Sequence, residues 1–357
     1  MNFSLTSGLQ YPVKLIAVLL FCLSACTTDK ILETPDSPSR LVRVLFSPNG
    51  LGDLSFNDDI LRGILHEKEH NNFRLEYLSP VDMVEAEAVL CRWQEEDTDP
   101  ELYYTIIAGS EFEKITRRTL PQKQRHNYVM FDTPARDFTI STFRFCGYGV
   151  SFLAGITAYS LAKADTAAYI GGQQGEYFIE ECYKGFRAGY LHAGGKEVAA
   201  TYISPTSYGF AMPQRAYQMA DSLFRLYPFI YVMAGSSNNG VYQYLREHPQ
   251  VNGYTAGVDV DQAAYSDRII GSMIKGIGTC VGSYIHRWTE REENPQYAEY
   301  DLRSGYTYFQ VSESYKEELE EIVEKSFELA VIKEMEYERN KMGAILPTAM
   351  DLHLLHP

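Results

Sequence analysis

The chain has 357 residues, 45% of them hydrophobic, and a formal charge of −15. That length and apolar content point to two domains with sizeable cores rather than one. The acidic balance excludes nucleic-acid binding through phosphate contacts and resists adsorption to anionic membrane surfaces.

Residues 1–25 read as a lipoprotein signal peptide. Lys14 precedes the apolar run 15–21, which is shorter than the roughly 20 residues that span a bilayer and suits a secretory core. Leu23-Ser-Ala-Cys26 follows and has the form of a bacterial lipobox. Cleavage there would leave Cys26 at the N-terminus, ready for lipid. Acyl chains anchor by about 0.8 kcal/mol per buried methylene, so a multiply acylated Cys26 would hold firmly. Residues 26–40, rich in Thr, Asp, Pro and Ser, read as a flexible tether. Cys91, Cys146, Cys182 and Cys280 then remain, at spacings that match no zinc pattern. They are expected as small buried thiols; an oxidising compartment would permit a disulfide, whose pairing the sequence does not give. No metal or cofactor is expected.

Beyond the tether, strand and helix patterns alternate. Strands are expected at 41–46, 73–77, 103–108, 127–131 and 143–145, with helices from 55, from 80 and from 109 between them. Residues 149–163 form an apolar helix rich in small side chains. The cycle restarts with strands at 167–170, 198–203, 229–233 and 251–258, and helices at 177–193, 213–226 and 240–247. A helix over 266–288, a last strand at 306–309 and a long charged helix over 314–338 complete the chain. This rhythm implies an α/β fold with parallel sheets and crossover helices. Two Rossmann-like lobes are expected, the N-terminal one from 41–147 plus 259–290 and the C-terminal one from 148–258 plus 291–342, joined by a multi-crossover hinge. Residues 343–357 are left as a tail.

Two polar loops stand out, each where a strand ends. One is Ser47-Pro-Asn-Gly-Leu-Gly-Asp-Leu-Ser-Phe-Asn-Asp-Asp59, and the other is Thr255-Ala-Gly-Val-Asp-Val-Asp-Gln262. Ligands of open α/β sheets bind outside the carboxyl ends of the strands, so the pair suggests two lobes facing one cleft. Five blocks in order then carry a resemblance: Gly52-Asp-Leu-Ser-Phe-Asn57, Phe131-Asp132, Ser151-Phe-Leu-Ala-Gly155, Ile170-Gly-Gly172 with Gly185-Phe186 and Gly189, and Gly257-Val-Asp-Val-Asp-Gln262 with Ser272-Met-Ile-Lys275. Together they resemble the basic membrane protein family of purine-nucleoside-receptor-like lipoproteins, the substrate-binding components of ABC transporters. A sixth block departs from that pattern. Phe210-Ala-Met-Pro213 has Met212 where the family carries an acid, so its loop must be held in another way.

The resemblance implies a type I periplasmic binding protein fold that closes on its ligand. It implies that Phe56 and Phe210 sandwich a purine, that Asn57 and Asp132 read base edges, and that Asp259 and Lys275 hold the ribose. Gly171 and Gly172 would let backbone approach the ligand. The implied partners are a purine nucleoside, a permease and ATPase complex, and a membrane of the bacterial cell envelope through Cys26. Enzymatic activity is not expected, because no nucleophile elbow, phosphate loop or calcium-binding aspartate cluster is present. The alternatives are a solitary sensory lipoprotein that binds another small ligand in the same cleft and a nucleoside-processing enzyme.

Overall fold

The computed structural model describes residues 30–32, 40–120 and 124–345. The signal segment 1–25, Cys26, the rest of the tether and the tail from 346 lie outside the described residues.

Two sheets form the protein. The first contains β1 (Lys30–Leu32), β2 (Leu41–Leu45), β3 (Arg74–Leu78), β4 (Tyr103–Ala108), β5 (Arg125–Phe131), β6 (Ile140–Phe145) and β12 (Tyr297–Tyr300), in the order β1-β3-β2-β4-β5-β6-β12. The second contains β7 (Thr166–Gln173), β8 (Glu197–Ser204), β9 (Phe229–Met233), β10 (Tyr254–Asp259), β11 (Ile269–Lys275) and β13 (Thr307–Val311), in the order β13-β11-β10-β9-β7-β8. Only β1 and β13 run antiparallel to their neighbours. β2 and β9 are buried at every position, as central strands covered by helices on both faces must be. In each lobe the strand order reverses beside the first strand, at β2/β4 and at β7/β9. Such switch points open ligand crevices at the carboxyl ends.

Helices cover the sheets: α1 (Phe56–His70), α2 (Met83–Glu96) and α3 (Glu113–Thr119) on the first lobe, and α4 (Tyr148–Ala162), α5 (Tyr177–Ala193), α6 (Pro213–Leu223) and α7 (Asn238–Glu247) on the second. α4 and α5 pack backbone to backbone. A Cβ on Gly189 would lie 2.0 Å from the Phe152 carbonyl oxygen, and one on Gly185 2.2 Å from that of Tyr148. The small residues are therefore the contact surface itself.

The return of the chain differs from the expected blocks. The helix expected over 266–288 is a strand, β11, followed after Gly276 by α8 (Ile277–Thr289). Its branched apolar run satisfies backbone hydrogen bonds on both sides, to β10 and to β13. Residues 259–290 thus do not all join the first lobe: β11 belongs to the second sheet and α8 packs on α1. A Cβ on Gly63 of α1 would lie 2.0 Å from the Gly278 carbonyl oxygen of α8, so glycine sets that contact. β12 then joins the first sheet, not the second as expected. Two further differences lie at the ends. Lys30–Leu32, inside the expected tether, pairs with β3, and the final helix α9 (Lys316–Ile345) extends past the expected boundary at 342.

The chain therefore passes between lobes three times, at 146–147, at Gly276 and at 301–306. These crossings bond to each other and to buried carboxylates. Gly276 N donates to the Tyr306 carbonyl (2.7 Å) and Cys146 N to that of Tyr300 (2.9 Å). Glu334 of α9 accepts from Gly149 N and from Leu302 N, each at 2.9 Å. Buried Arg144 joins Glu181 (3.3 Å), Glu299 (2.9 Å) and Glu338 (2.7 Å), tying β6 to α5, β12 and α9.

Candidate ligand site between the lobes

A cavity of about 450 Å³ lies between the carboxyl ends of the two sheets. Its walls include Phe56, Glu111 and Asp132 from the first lobe, and Glu176, Phe210 and Lys275 from the second.

The loop that presents Phe56 is held by its own side chains. Asp53 accepts from the backbone N–H groups of Ser55 (3.0 Å), Asn57 (2.8 Å) and Asp58 (3.2 Å), the capping geometry of a helix start. Asp58 in turn accepts from Gly52 N (2.7 Å) and Leu54 N (2.9 Å). Asn57 receives Ser47 N at 3.2 Å and donates to the Gly50 carbonyl at 2.8 Å. One donor and one acceptor of its amide are thus spent on the loop, and Asn57 is buried and does not line the cavity, so it stands in the scaffold of the loop and not at the cavity face where base reading was expected of it. Phe56, half-buried, leans on Phe131 with ring centroids 5.8 Å apart, and Phe131 stacks on Phe143 at 4.9 Å. That aromatic column fixes the ring's position.

Phe210 sits in a 3₁₀ turn, Ser207–Ala211. Ser236 Oγ donates to the Phe210 carbonyl (2.7 Å) and Ser237 Oγ to that of Gly209 (2.8 Å). Ser237 Oγ also accepts from Met212 N at 2.6 Å. Serines of the 235–237 turn therefore order the loop in which Met212 replaces an acid. Gly172 serves Phe210, since a Cβ there would lie 2.5 Å from the ring. A Cβ on Gly171 would meet Tyr202 at 2.7 Å. Both glycines are packing positions, and neither is among the residues of the cavity wall, where ligand contact was expected of them.

Asp132 and Asp259 hold equivalent places, each where the fourth parallel strand of its sheet ends (β5 and β10). Both adopt left-handed backbone, with φ of 58° and 65°, a conformation that Asp tolerates better than most residues. Lys275 Nζ, buried at the end of β11, lies 2.7 Å from Asp132 Oδ2 and 3.9 Å from Asp259 Oδ1. It also stands 4.1 Å from the Phe178 ring centroid, a cation–π contact. Burial alone would push the ammonium pKa down; Asp132 and Asp259 more than reverse this and hold it above its ordinary value. Burial raises the Asp259 carboxyl, against the pull of Lys275 and a 2.6 Å hydrogen bond from Ser55 Oγ. The Ser55–Asp259 and Lys275–Asp132 links both cross the cleft and fasten its base.

Three acids of the wall were not singled out from the sequence. Asp53 is raised to about 6 by burial, despite its three backbone donors. Glu111 is raised to about 7, chiefly by burial, and burial also raises Glu176. An Asp two residues before a Ser that opens a helix is a legible turn signal, but nothing in sequence brings residues 111 and 176 together. Elsewhere among the described residues, Cys146, Glu181 and Glu338 place ligand-type atoms within 4.8 Å of one another. Arg144 and Lys341 already pair with both glutamates, and burial raises the Cys146 thiol far above its ordinary value, so the cluster is an ion-pair knot, not a metal cradle.

Comparison with known proteins follows the same lines. The profile of the Bmp family, described as ABC transporter substrate-binding protein PnrA-like, matches residues 41–341. The chain belongs to this family. Its fold is that of type I periplasmic binding proteins. An ABC-transporter solute-binding protein from Aeropyrum pernix K1 superposes with TM-score 0.67 at 21% identity, over 85% of this chain and 86% of that one. A transcriptional activator of the comK gene from Bacillus halodurans gives 0.63 at 14%, over 81% and 96%. A sugar-binding ABC-transporter protein from Bacillus halodurans gives 0.57 at 16%, over 78% and 100%. At those identities the likeness is one of fold. No curated protein matches the sequence. As a Bmp-family member the protein is an extracytoplasmic substrate-binding component that serves a permease and ATPase. Among the described residues no helix is long and apolar enough to cross a membrane.

Proposed function

We propose that the protein is a lipid-anchored receptor for a purine nucleoside, held at a membrane of the cell envelope through Cys26, which delivers its ligand to an ABC permease. The observation that carries the reading is the pairing of Phe56 and Phe210, one from each lobe, across a cavity that also contains the Lys275–Asp132–Asp259 network. A purine offers two π-faces, and each stack on an aromatic ring contributes about 1–3 kcal/mol. Asp259 accepts from vicinal ribose hydroxyls, and Lys275 both donates to ribose oxygens and offsets the Asp259 charge. Asp132, whose Oδ2 is held by Lys275, turns toward the base. Closure of the hinge brings the second ring onto the base, so binding and lobe closure are one event.

Calorimetric titration of the purified protein with guanosine, inosine, adenosine, cytidine and ribose tests this. Submicromolar binding of a purine nucleoside, lost in Asp259→Ala and Phe56→Ala, is the expected result. Absence of binding by all five, in folded protein free of copurified ligand, refutes the nucleoside assignment.

A further inference from the structure

The cavity wall carries two further carboxylates, Glu111 and Glu176, that the nucleoside reading does not require. Glu111 follows β4, and Glu176 opens α5, so one carboxylate comes from each lobe. The turn that delivers Glu111 is built for it. Gly109 has φ of +124°, and a Cβ there would lie 2.2 Å from Glu111 Oε2, so the carboxylate folds over a backbone that only glycine can supply. Glu176 Oε2 accepts from Ile179 N at 2.9 Å and caps α5. Its other oxygen receives Ser110 Oγ from the first lobe at 3.5 Å. Glu111 feels Glu176 and Asp132 as like charges, and Glu176 feels Asp132 against the pull of Lys275. The wall's lysine, Lys275, lies nearer to Asp132 and Asp259, at 2.7 and 3.9 Å, and forms no ion pair with either glutamate.

We propose that Glu111 and Glu176 are specificity-determining residues that select a purine whose outer edge carries adjacent N–H donors, the guanine type, over adenine. The proposal rests on the nucleoside reading of the cavity. With the ribose on Asp259 and Lys275 and the base between Phe56 and Phe210, the outer edge of the base is left facing this acid pair. An ionised carboxylate only accepts hydrogen bonds. The guanine edge offers an N1–H and a 2-amino group side by side, and can bridge acceptors on two lobes. The adenine edge places the N1 lone pair there instead, toward like charge. Inosine, which keeps N1–H and lacks the 2-amino group, falls between.

The test is titration of the full protein with guanosine, inosine and adenosine at about pH 8, above the Glu111 value of about 7 and below the range in which the purine N1–H itself ionises, alongside Glu111→Gln, Glu176→Gln and the double variant. Glutamine at 176 keeps an oxygen to cap α5, and circular dichroism confirms the folded state of each variant. Charge-assisted hydrogen bonds imply that wild-type protein prefers guanosine over adenosine by at least about tenfold. The double variant loses most of that ratio, with adenosine affinity unchanged or improved, and each single variant loses part. Equal affinity for guanosine and adenosine in wild type, or a ratio that survives in the double variant, overturns the proposal while the nucleoside reading stands. Absence of binding by all three nucleosides overturns both.

Discussion

Glu334 clamps two of the three crossings, and its ionisation should therefore be visible in the stability of the whole protein. The carboxylate is 3% exposed and accepts from Gly149 N and Leu302 N. Burial raises its pKa to about 8 from an ordinary 4.5; the two backbone donors oppose the rise, and Glu181 and Asp301 add to it. A carboxyl whose folded pKa lies above its unfolded one stabilises the fold below the unfolded value. That stability is lost as pH rises through the folded value. At about 1.4 kcal/mol per tenfold change in proton affinity, Glu334 alone makes stability fall by on the order of 4 kcal/mol between about pH 5 and about pH 9. Glu334→Gln removes that slope. It also turns one acceptor into an amide N–H facing a backbone N–H, at a cost of about 1–3 kcal/mol. The variant should be the less stable protein near pH 5 and should draw level with wild type or pass it near pH 9. Urea denaturation followed by circular dichroism across that range measures the difference directly. Subtracting the variant's profile cancels the slopes of Asp53 and Glu111, which titrate in both proteins, and leaves Glu334 with its coupling to Glu181. Parallel profiles would refute the argument that this clamp is held against its own burial.

Lys275→Met leaves Asp132 and Asp259 facing each other without their cation, and a denaturant melt should show a loss of about 3–5 kcal/mol, together with loss of ligand binding. Asn57→Ala should lower the melting temperature, because the 47–58 loop loses two backbone partners, yet leave the ratio of affinities among nucleosides unchanged in titration calorimetry. Gly63→Ala forces a Cβ to 2.0 Å from the Gly278 carbonyl oxygen. Thermal melts should show destabilisation of about 1–3 kcal/mol with little change at the cavity.

The alternation of strand and helix and both polar loops were legible because they rest on local pattern, apolar runs ending in Gly and Asp; Phe56, Asp132, Phe210 and Asp259, which line the cavity, were reached through the family resemblance of the blocks that hold them. Lys275 was legible for its ion pair with Asp259 at 3.9 Å, but not for its closer bond to Asp132 at 2.7 Å or for its setting. The segment 269–275 reads as helix or strand on periodicity alone, and only pairing with β10 and β13 decides it. The lobe boundaries failed for a related reason. α8 and β12 sit on the first lobe because of the Gly63–Gly278 contact and a register with β6, both set by residues more than 100 positions away. Asn57, Gly171 and Gly172 illustrate the opposite difficulty. Their types suit ligand contact and scaffolding equally, and the choice depends on what else each can touch: Ser47 and Gly50 for Asn57, Tyr202 for Gly171 and the Phe210 ring for Gly172.

The positions of the site and the hinge make one mechanical unit. Lys275 is the last residue before the crossing at Gly276, so the residue that neutralises Asp132 and Asp259 is also the end of a strand that leaves the second lobe. Asp132 belongs to the first lobe, and the 2.7 Å contact of Lys275 with it can persist only while the lobes keep this relation. On the far side of the same crossings, Gly147 N donates to Glu181 at 2.6 Å, and Glu334 holds Gly149 and Leu302. Rotation of one lobe must exchange the contact of Lys275 with Asp132, while the bonds of Glu181 and Glu334 to Gly147 and Gly149 can turn with the second lobe, on which α4 and α9 are packed together. A ligand that satisfies Asp259 and Asp132 in the closed arrangement gains affinity for that arrangement alone, and this difference between states is the quantity that drives closure.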